Sequence, residues 1–194
     1  MIPDSEVISA SATAPAEFAA VFDRHFGAIH GYLQRRLGRD LADELASQTF
    51  LVAFDSRSRY DHSRADARPW LFGIATNVAH RHHRQEQRQL RAYERNAVDP
   101  ILDPFDGVEE RADASNLRRR LVGALAGLPG EERDTLLLYA WAELSYPEIA
   151  DALGIPVGTV RSRLSRARAR LREPLGIDGA EAEHEPISSD GGKS

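Results

Sequence analysis

Apolar residues recur every three or four positions through the first half of this chain, which is the spacing of one face of an amphipathic helix. Residues 13–37 show this spacing most clearly, and Gly38 follows them as a helix-ending residue. Two further stretches repeat it, one behind Asp40 as a predicted N-cap and one starting at Pro69, a residue favoured in the first turn of a helix. The pattern predicts a bundle of three helices within residues 13–91.

The second half of the chain has shorter amphipathic segments, and the most informative is residues 144–172. Ser145 and Glu148 have the spacing of a capping box at the start of a helix. Gly154 suits the left-handed position after a helix end, and a second helix starts near Val157. This segment is therefore predicted to be two helices joined by a tight turn.

The second of these helices has two unlike faces. Apolar side chains follow one another at helical spacing on one side, while short polar side chains and arginines occupy the other. A free polar face after a tight turn suits the major groove of DNA. A solvated basic helix in a bundle is the alternative, but the capped first helix and the one-sided arginines together favour a helix-turn-helix. The apolar face holds Val160, Leu164, Ala167 and Leu171, and the polar face holds Thr159, Ser162 and Arg166, with Arg163 and Ser165 at its edges and Arg161 nearer the apolar seam.

Composition narrows the class of protein. The 194 residues carry a formal net charge of -5, which is unexpected for a protein that binds nucleic acid. The charge is segregated, however, because residues 92–116 and 176–194 are acidic. The first of these acidic stretches also holds proline and glycine and is predicted to be a linker, whose simplest role is that of an inert tether. The sequence has no cysteine, no apolar run of roughly 20 residues and no leader pattern. We therefore expect a cytoplasmic protein with no membrane insertion.

A basic loop and a basic helix end precede that linker. Residues 55–68 carry four arginines and one aromatic residue, Tyr60, and the third predicted helix is basic in its second half. An unstacked nucleic-acid strand is bound in this way, because arginines follow its backbone while a ring or a pocket takes a base. The cluster of His80, His82 and His83 could suggest a metal. No cysteine or carboxylate has ligand spacing with these histidines, so we expect no metal and no other cofactor.

Asp43 and Glu44 are predicted to lie in the first turn of the second helix. Carboxylates at that end of a helix interact favourably with the helix dipole, and this is the simpler interpretation of the pair. The alternative is an acidic edge that binds a basic partner.

Three stretches resemble, in the right order, motifs of the sigma-70 family of bacterial transcription initiation factors. ADELASQTFLVAF, residues 42–54, resembles the polymerase-contacting helix of region 2.2. RPWLFGIATNVAHRHHR, residues 68–84, resembles the end of region 2.3 and region 2.4. Residues 144–172 resemble region 4.2 almost throughout. The short form, with only regions 2 and 4, is similar to the extracytoplasmic-function group of this family.

The resemblance implies an all-α fold with two small helical domains, region 2 in residues 13–91 and a helix-turn-helix region 4 in residues 117–175. A flexible acidic linker, residues 92–116, would join them, and residues 1–12 and 176–194 would be disordered tails. Members of this group bind the RNA polymerase core, at the clamp helices of its largest subunit and at its flap, and direct it to promoter DNA. They catalyse no reaction, and an anti-sigma factor is a further implied partner.

Together with the helix faces, the resemblance assigns site residues by position. The polymerase-binding residues would be Asp43, Glu44, Gln48 and Phe50, although the family usually has an acid where Gln48 stands. The melted −10 element would contact Arg57, Arg59, Tyr60, Arg64, Arg68, Trp70, Asn77, Arg81 and Arg84. The duplex −35 element would contact Tyr146, Thr159, Arg161, Ser162, Arg163, Ser165 and Arg166.

Two other functions stay open at this point. A conventional helix-turn-helix regulator with an N-terminal effector domain would explain residues 117–172, but it leaves the basic loop and the Asn77 helix without a role. An enzyme acting on nucleic acid is disfavoured, because the sequence shows no phosphate-binding glycine loop and no Ser/His/Asp arrangement. Co-purification with core polymerase would separate a sigma factor from the regulator.

Overall fold

The computed structural model describes the backbone of residues 2–93 and 112–175, and it describes their side chains except those of residues 86–93, 112–118 and 173. The described residues form eight α-helices and no strand, so the all-α prediction is confirmed. The helices are α1 (Asp4–Ala10), α2 (Ala19–Leu37), α3 (Arg39–Ser56), α4 (Arg68–Tyr93), α5 (Ala112–Ala126), α6 (Gly130–Ala140), α7 (Tyr146–Leu153) and α8 (Val157–Leu175). None of them combines the length and the apolar character needed to cross a membrane.

Helices α2, α3 and α4 form the first bundle, as the apolar spacing predicts. Their facing side chains are buried, among them Leu33 on α2, Leu45 on α3 and Phe72 on α4. Gly38 separates α2 from α3 with a φ of 84°, a left-handed conformation that favours glycine. Because α3 begins directly after this glycine, the prediction of Asp40 as an N-cap is wrong. Asp40 lies in the first turn instead, where its charge interacts favourably with the helix dipole.

The expectation of a disordered tail over residues 1–12 is also wrong. Residues Asp4–Ala10 form α1, and the Val7 and Ile8 side chains are buried against the bundle. Burial of these two apolar side chains offsets part of the entropy lost when so short a helix is ordered. Asp4 is buried as well and bonds to side chains of α2.

Helices α5 to α8 form the second bundle, with the tight turn where the sequence predicts it. The Ser145 amide donates to Glu148 Oε2 at 2.7 Å within the predicted capping box. Gly154 follows α7 with a φ of 64°, and α8 begins at Val157 as predicted. The buried apolar face of α8 consists of Val160, Leu164 and Ala167, with Leu171 partly covered.

The second bundle begins earlier in the chain than predicted, inside the acidic stretch that the sequence predicts to be a linker. Helix α5 starts at Ala112, so residues 112–116, expected in the linker, are helical. Its later turns pack on α8 through the buried Leu125. The rest of the predicted linker and the predicted tail over residues 176–194 lie outside the described residues.

The two bundles pack against each other and share a continuous apolar core. Helix α7 lies along α4. At Gly73 the two backbones are so close that a Cβ added there would lie 2.3 Å from the carbonyl oxygen of Ala152. The apolar pattern within each bundle gives no sign of this contact, which places the loop between α3 and α4 beside α7.

Candidate nucleic-acid and polymerase interfaces

The polar face of α8 is exposed, as the helix pattern predicts. Arg161, Ser162 and Ser165 are all exposed, whereas Thr159 is half-buried. The Ser162 hydroxyl donates to the carbonyl of Thr159 at 3.0 Å, which leaves its lone pairs toward solvent. The face therefore offers a guanidinium and two hydroxyl groups to a base edge or a phosphate.

Three arginines of α8 are engaged by two glutamates of α6. Arg163 pairs with Glu131. The Nε atoms of Arg166 and Arg170 lie 3.2 and 3.1 Å from the Glu132 carboxylate. The Glu132 side chain is only 8% exposed, so its charge needs such partners. Arg166, predicted to face the DNA, is thus partly engaged inside its own bundle while its side chain stays 59% exposed.

Tyr146 begins α7 and is half-buried. Its ring lies 5.7 Å from the ring of Tyr139, in an edge contact. The Arg168 guanidinium lies 5.2 Å from the centroid of the same Tyr139 ring. These aromatic and cation–π contacts hold the start of α7 against α6 and α8. The predicted contact between Tyr146 and the −35 element stays a prediction.

Tyr60 is buried under the basic loop, so the expectation that it contacts the −10 element directly is corrected. Its side chain is 5% exposed, and its hydroxyl donates to the carbonyl of Arg64 at 2.7 Å. Its ring meets Trp70 edge-on at 5.0 Å. Burial, together with the nearby charge of Asp4, raises the pKa of the phenol to about 12. Tyr60 therefore supports the loop from beneath, a role that a lone aromatic in a polar stretch does not reveal.

Arg57 and Arg59 lie in the short 3-10 turn that opens the loop. The Arg57 guanidinium stacks over the ring of Phe54, 3.9 Å from its centroid, and donates to the Phe54 carbonyl at 2.6 Å. Arg59 is exposed. The turn thus fixes one arginine against the bundle and presents the other to solvent.

Arg64 and Arg68, at the far end of the loop, are engaged by the second bundle. Arg64 forms a two-pronged ion pair with Asp151 of α7, with Nη2 donating to Oδ1 at 2.7 Å. Arg68 Nη2 donates to the carbonyl of Ala142 at 2.9 Å. Two predicted strand-binding arginines are therefore bound to the rest of the protein in this arrangement.

Four predicted −10 residues share one side of α4. They are Trp70, Asn77, Arg81 and Arg84. Successive members are separated by seven, four and three residues, and this spacing places them on a single helix face. Asn77, Arg81 and Arg84 are exposed, and Trp70 is half-buried against Tyr60. The structure thus brings Trp70 beside the loop and aligns the two arginines beyond Asn77.

Three of the four predicted polymerase contacts are exposed on α3. They are Asp43, Glu44 and Gln48. The Asp43 carboxylate lies 2.9 Å from His30 Nε2 and its side chain is 86% exposed. Phe50 is only 4% exposed, and its ring lies 4.9 Å from that of Phe22. Its assignment as a direct polymerase contact is therefore wrong in this structure, because two residues beyond Gln48 the helix has turned by roughly 200°.

A buried ion pair joins the two bundles. Arg36 Nη2 on α2 donates to Asp134 Oδ1 on α6 at 2.5 Å, and His80 Nε2 on α4 lies 2.6 Å from Asp134 Oδ2. Burial opposes ionisation of Asp134, but the hydrogen bonds and charges of His80 and Arg36 outweigh it and lower the pKa of that carboxyl. Sequence reasoning missed this cluster, because Arg36 and Asp134 are 98 residues apart and no local pattern links them.

One group of histidine and acidic side chains among the described residues is close enough together to hold a cation: Asp4, His25 and Asp66. It is not the histidine cluster that the sequence singles out. Arg24 and the Ala67 amide donate to the Asp4 carboxylate at 2.8 and 3.0 Å, so protein partners account for its position without an ion.

Comparison with known proteins covers both bundles. The family described as Sigma-70 region 2 matches residues 21–89, and the family described as Sigma-70, region 4 matches residues 118–171. The RNA polymerase sigma factor CarQ of Myxococcus xanthus is 34% identical over 160 residues, which cover 82% of this chain and 89% of CarQ. The ECF RNA polymerase sigma factor SigM of Bacillus subtilis (strain 168) is 31% identical over 136 residues, which cover 69% of this chain and 79% of SigM.

Two solved structures are similar over most of the chain. One is CnrH in complex with the cytosolic domain of CnrY, with a TM-score of 0.61 and 25% identity, covering 91% of this chain and 99% of the matched chain. The other is the sigma factor RpoE in complex with the anti-sigma factor NepR from Bartonella quintana. It has a TM-score of 0.61 and 24% identity, covers 84% of this chain and 99% of the matched chain, and shows likeness of fold.

Proposed function

This chain belongs to the sigma-70 family, in its extracytoplasmic-function group, and we propose how its two bundles share the work of promoter-directed transcription initiation by RNA polymerase. The first bundle, region 2, binds the polymerase and one separated DNA strand. The second, region 4, reads intact duplex. The observation that carries this division is the pair of exposed polar faces, one on α4 and one on α8, within the stretches that match regions 2 and 4.

Region 4 reads the −35 element through the exposed face of α8. The capped turn before α8 sets the angle of this helix to the duplex. Base edges in the major groove then contact Ser162, Ser165 and the exposed part of Arg166. Arg161 is nearer the apolar seam and contacts phosphate, which fixes register without reading sequence. Arg163, whose side chain is 14% exposed and paired with Glu131, contributes to the shape of the face.

Region 2 captures the melted −10 element beside Trp70. Arg59 on the loop and Arg81 and Arg84 on α4 follow the strand backbone, and Asn77 bonds to a base. Melting costs about 1.4 kcal/mol per base-pair step on average, and binding of an unstacked base offsets part of this cost.

Arg64 and Arg68 join the −10 contacts only after the two bundles separate, because Asp151 and the Ala142 carbonyl bind them while the bundles are packed together. Polymerase that binds both bundles favours their separation. Once one bundle is bound to its promoter element, the second bundle has a high effective concentration at the other element. We therefore expect the chain alone to bind promoter DNA weakly.

The exposed acidic edge of α3 binds the clamp helices of the largest polymerase subunit. Asp43 and Glu44 supply charge there, and Gln48 supplies an uncharged amide where the family usually has an acid, which weakens the contact at that point. Region 4 binds the flap, so the polymerase spans both bundles.

An anti-sigma factor is the further partner proposed for this chain. The matched CnrH and RpoE structures contain the cytosolic domain of CnrY and the anti-sigma factor NepR. The chain catalyses no reaction of its own, and it works in the cytoplasm, where the polymerase is.

Transcription reconstituted with purified core polymerase and a library of genomic fragments tests the proposal. We expect start sites that are absent with core alone. Glu44→Arg should abolish them by reversing charge on the acidic edge, whereas Glu17→Arg, an equal change at an exposed position before α2, should not. Identical start sites with and without the chain would contradict the proposal.

A further inference from the structure

The N-terminal helix α1 is bonded to the basic loop. The Asp4 amide donates to the carbonyl of Ala65 at 3.0 Å, and the Ala67 amide donates to Asp4 Oδ2 at 3.0 Å. Nδ1 of His62 lies 3.2 Å from the carbonyl oxygen of Ser5. Three polar contacts thus join a helix that begins the chain to a loop some 60 residues later, and two of them use the same residue.

Asp4 is in turn fixed by α2. Arg24 Nη1 donates to Asp4 Oδ1 at 2.8 Å and also to the carbonyl of Ile2 at 2.8 Å. His25 Nε2 lies 2.7 Å from Asp4 Oδ2. Burial opposes ionisation of Asp4, but the bonds from Ala67, His25 and Arg24 outweigh it and lower the pKa of its carboxyl. The Asp4 carboxylate is therefore charged, has hydrogen-bond partners for both oxygens, and links α2 to the loop.

The loop continues this bridge through its own bonds. The Tyr60 hydroxyl, whose pKa is raised by burial and by the nearby charge of Asp4, donates to the carbonyl of Arg64. At the other end, the Arg68 amide donates to Asp66 Oδ1 at 2.8 Å and starts α4. The loop is thus held from α1 to the first turn of α4. Arg59 extends from it as an exposed side chain, and Arg64 is paired with Asp151 until the bundles separate.

We propose that α1 is a positioning element for strand capture, in which Asp4 fixes residues 60–67 so that the loop arginines are presented to the melted DNA strand. The inference rests on the proposed function of the loop. A loop ordered in advance loses less conformational entropy when it binds, so strand affinity rises without any contact between Asp4 and DNA. The simpler alternative is that α1 only stabilises the bundle through Val7 and Ile8.

Hydrogen exchange in the free chain tests the positioning step. In Asp4→Ala the Ala67 amide should exchange at least roughly tenfold faster, because its acceptor is lost. Asp4→Asn keeps an acceptor oxygen but no charge for Arg24, so its exchange should be intermediate. Ile29→Val removes a buried methylene from α2 and leaves the bonding groups of Asp4 in place, so it serves as a matched stability control, with wild-type exchange at Ala67 expected. Unchanged exchange in Asp4→Ala would overturn the inference.

The second arm uses each variant assembled with core polymerase and a single-stranded oligonucleotide that covers the melted −10 segment of a promoter found with the wild-type chain. Asp4→Ala should bind the oligonucleotide roughly tenfold more weakly, while its affinities for core and for duplex −35 DNA stay unchanged. Wild-type oligonucleotide affinity in Asp4→Ala, or an equal loss in Ile29→Val, would overturn the inference. If the wild-type complex neither opens promoters nor binds the strand, the proposed function fails, and the exchange result alone decides whether Asp4 orders the loop.

Discussion

Some arginines of the described residues are bound to protein carboxylates, whereas others face solvent. Arg36 is buried against Asp134, Arg166 shares Glu132 with Arg170, and Arg161 is exposed. The helix period predicts which side an arginine occupies. It does not predict the acidic partners, because Glu132 and Asp134 lie on α6, a different helix from the arginines that they bind. Arg166, which we propose contacts a base, is thus also part of the packing around Glu132.

Replacement of Arg166 separates its two roles. Arg166→Ala should weaken binding to the −35 element by about 1–3 kcal/mol if the guanidinium bonds to a base in the complex. Arg170→Ala is the matched control, because Arg170 Nε lies 3.1 Å from the Glu132 carboxylate, against 3.2 Å for Arg166, but is not assigned to a base. Footprinting of the polymerase complex measures both variants. Equal losses in the two would show that only support of Glu132 is affected.

Asn77 is assigned to the melted strand and not to duplex. Asn77→Ala should therefore slow promoter opening more than it weakens the closed complex, since the base contact forms only after melting. Permanganate reactivity of unpaired thymines measures opening, and gel retardation under non-melting conditions measures the closed complex. Gln85→Ala, which removes another exposed amide from α4, should open promoters normally. Wild-type opening in Asn77→Ala would remove this residue from the site.

Helix boundaries could be predicted from the sequence where neighbouring residues determine them. The capping box, the left-handed Gly154 and the start of α8 follow from neighbouring residues. Helix α1 could not be predicted, because its seven residues offer only Val7 and Ile8 as buried apolar side chains and its polar partners lie on α2 and the distant loop. The burial of Tyr60 likewise depends on tertiary partners.

The contact between α4 and α7 depends on Gly73. Gly73→Ala would place a Cβ 2.3 Å from the Ala152 carbonyl oxygen, a contact with backbone that cannot yield by a rotamer change. Alanine is also the better helix former by roughly 0.5–1 kcal/mol, so the first bundle itself should not be weakened. We expect the first bundle of Gly73→Ala to be as stable as that of the wild-type chain. The two bundles of this variant should no longer dock.

Small-angle scattering measures this outcome as a larger radius of gyration for Gly73→Ala than for the wild-type chain. Gly27→Ala is the matched control, because it replaces a glycine inside α2 where an added Cβ meets nothing within 4 Å. The same radius of gyration in both variants would show that α4 and α7 tolerate the methyl group.

For the whole molecule, the described arrangement is closed. One apolar core runs through both bundles, and the Arg36–Asp134–His80 cluster lies between them. The two domains and their order could be predicted from the sequence, because each bundle has its own apolar pattern. Their docking could not, because the shared apolar core, the close approach at Gly73 and the ion pair of Arg36 with Asp134 join residues that are far apart in the chain.

Asp134 should be the charge on which closure depends most. Asp134→Asn leaves Arg36 without its anion and should lower the free energy of unfolding by about 3 kcal/mol, the lower end for breaking a buried pair. Glu131→Gln, a similar change at a 76% exposed site on the same helix, should have little effect. Since the Asp134 pKa is lowered from 3.8, the wild-type advantage should be full above that pH and shrink as pH falls below it.

Spin labels report closure directly, because the chain has no cysteine of its own. Labels at Ser47→Cys on α3 and Ala169→Cys on α8, both exposed positions, should give one narrow distance distribution in the otherwise unaltered chain. Adding Asp134→Asn should broaden the distribution toward longer distances. An unchanged distribution would show that apolar contacts alone hold the bundles together.

The central claim is that two DNA-binding bundles act together only when the polymerase holds both. The most direct test is a footprint of one promoter with the chain, with core polymerase, and with both. The account predicts that upstream protection and permanganate-reactive downstream thymines appear together, and only in the third sample. Upstream protection by the chain alone at the same concentration, with no opening when core is added, would contradict it.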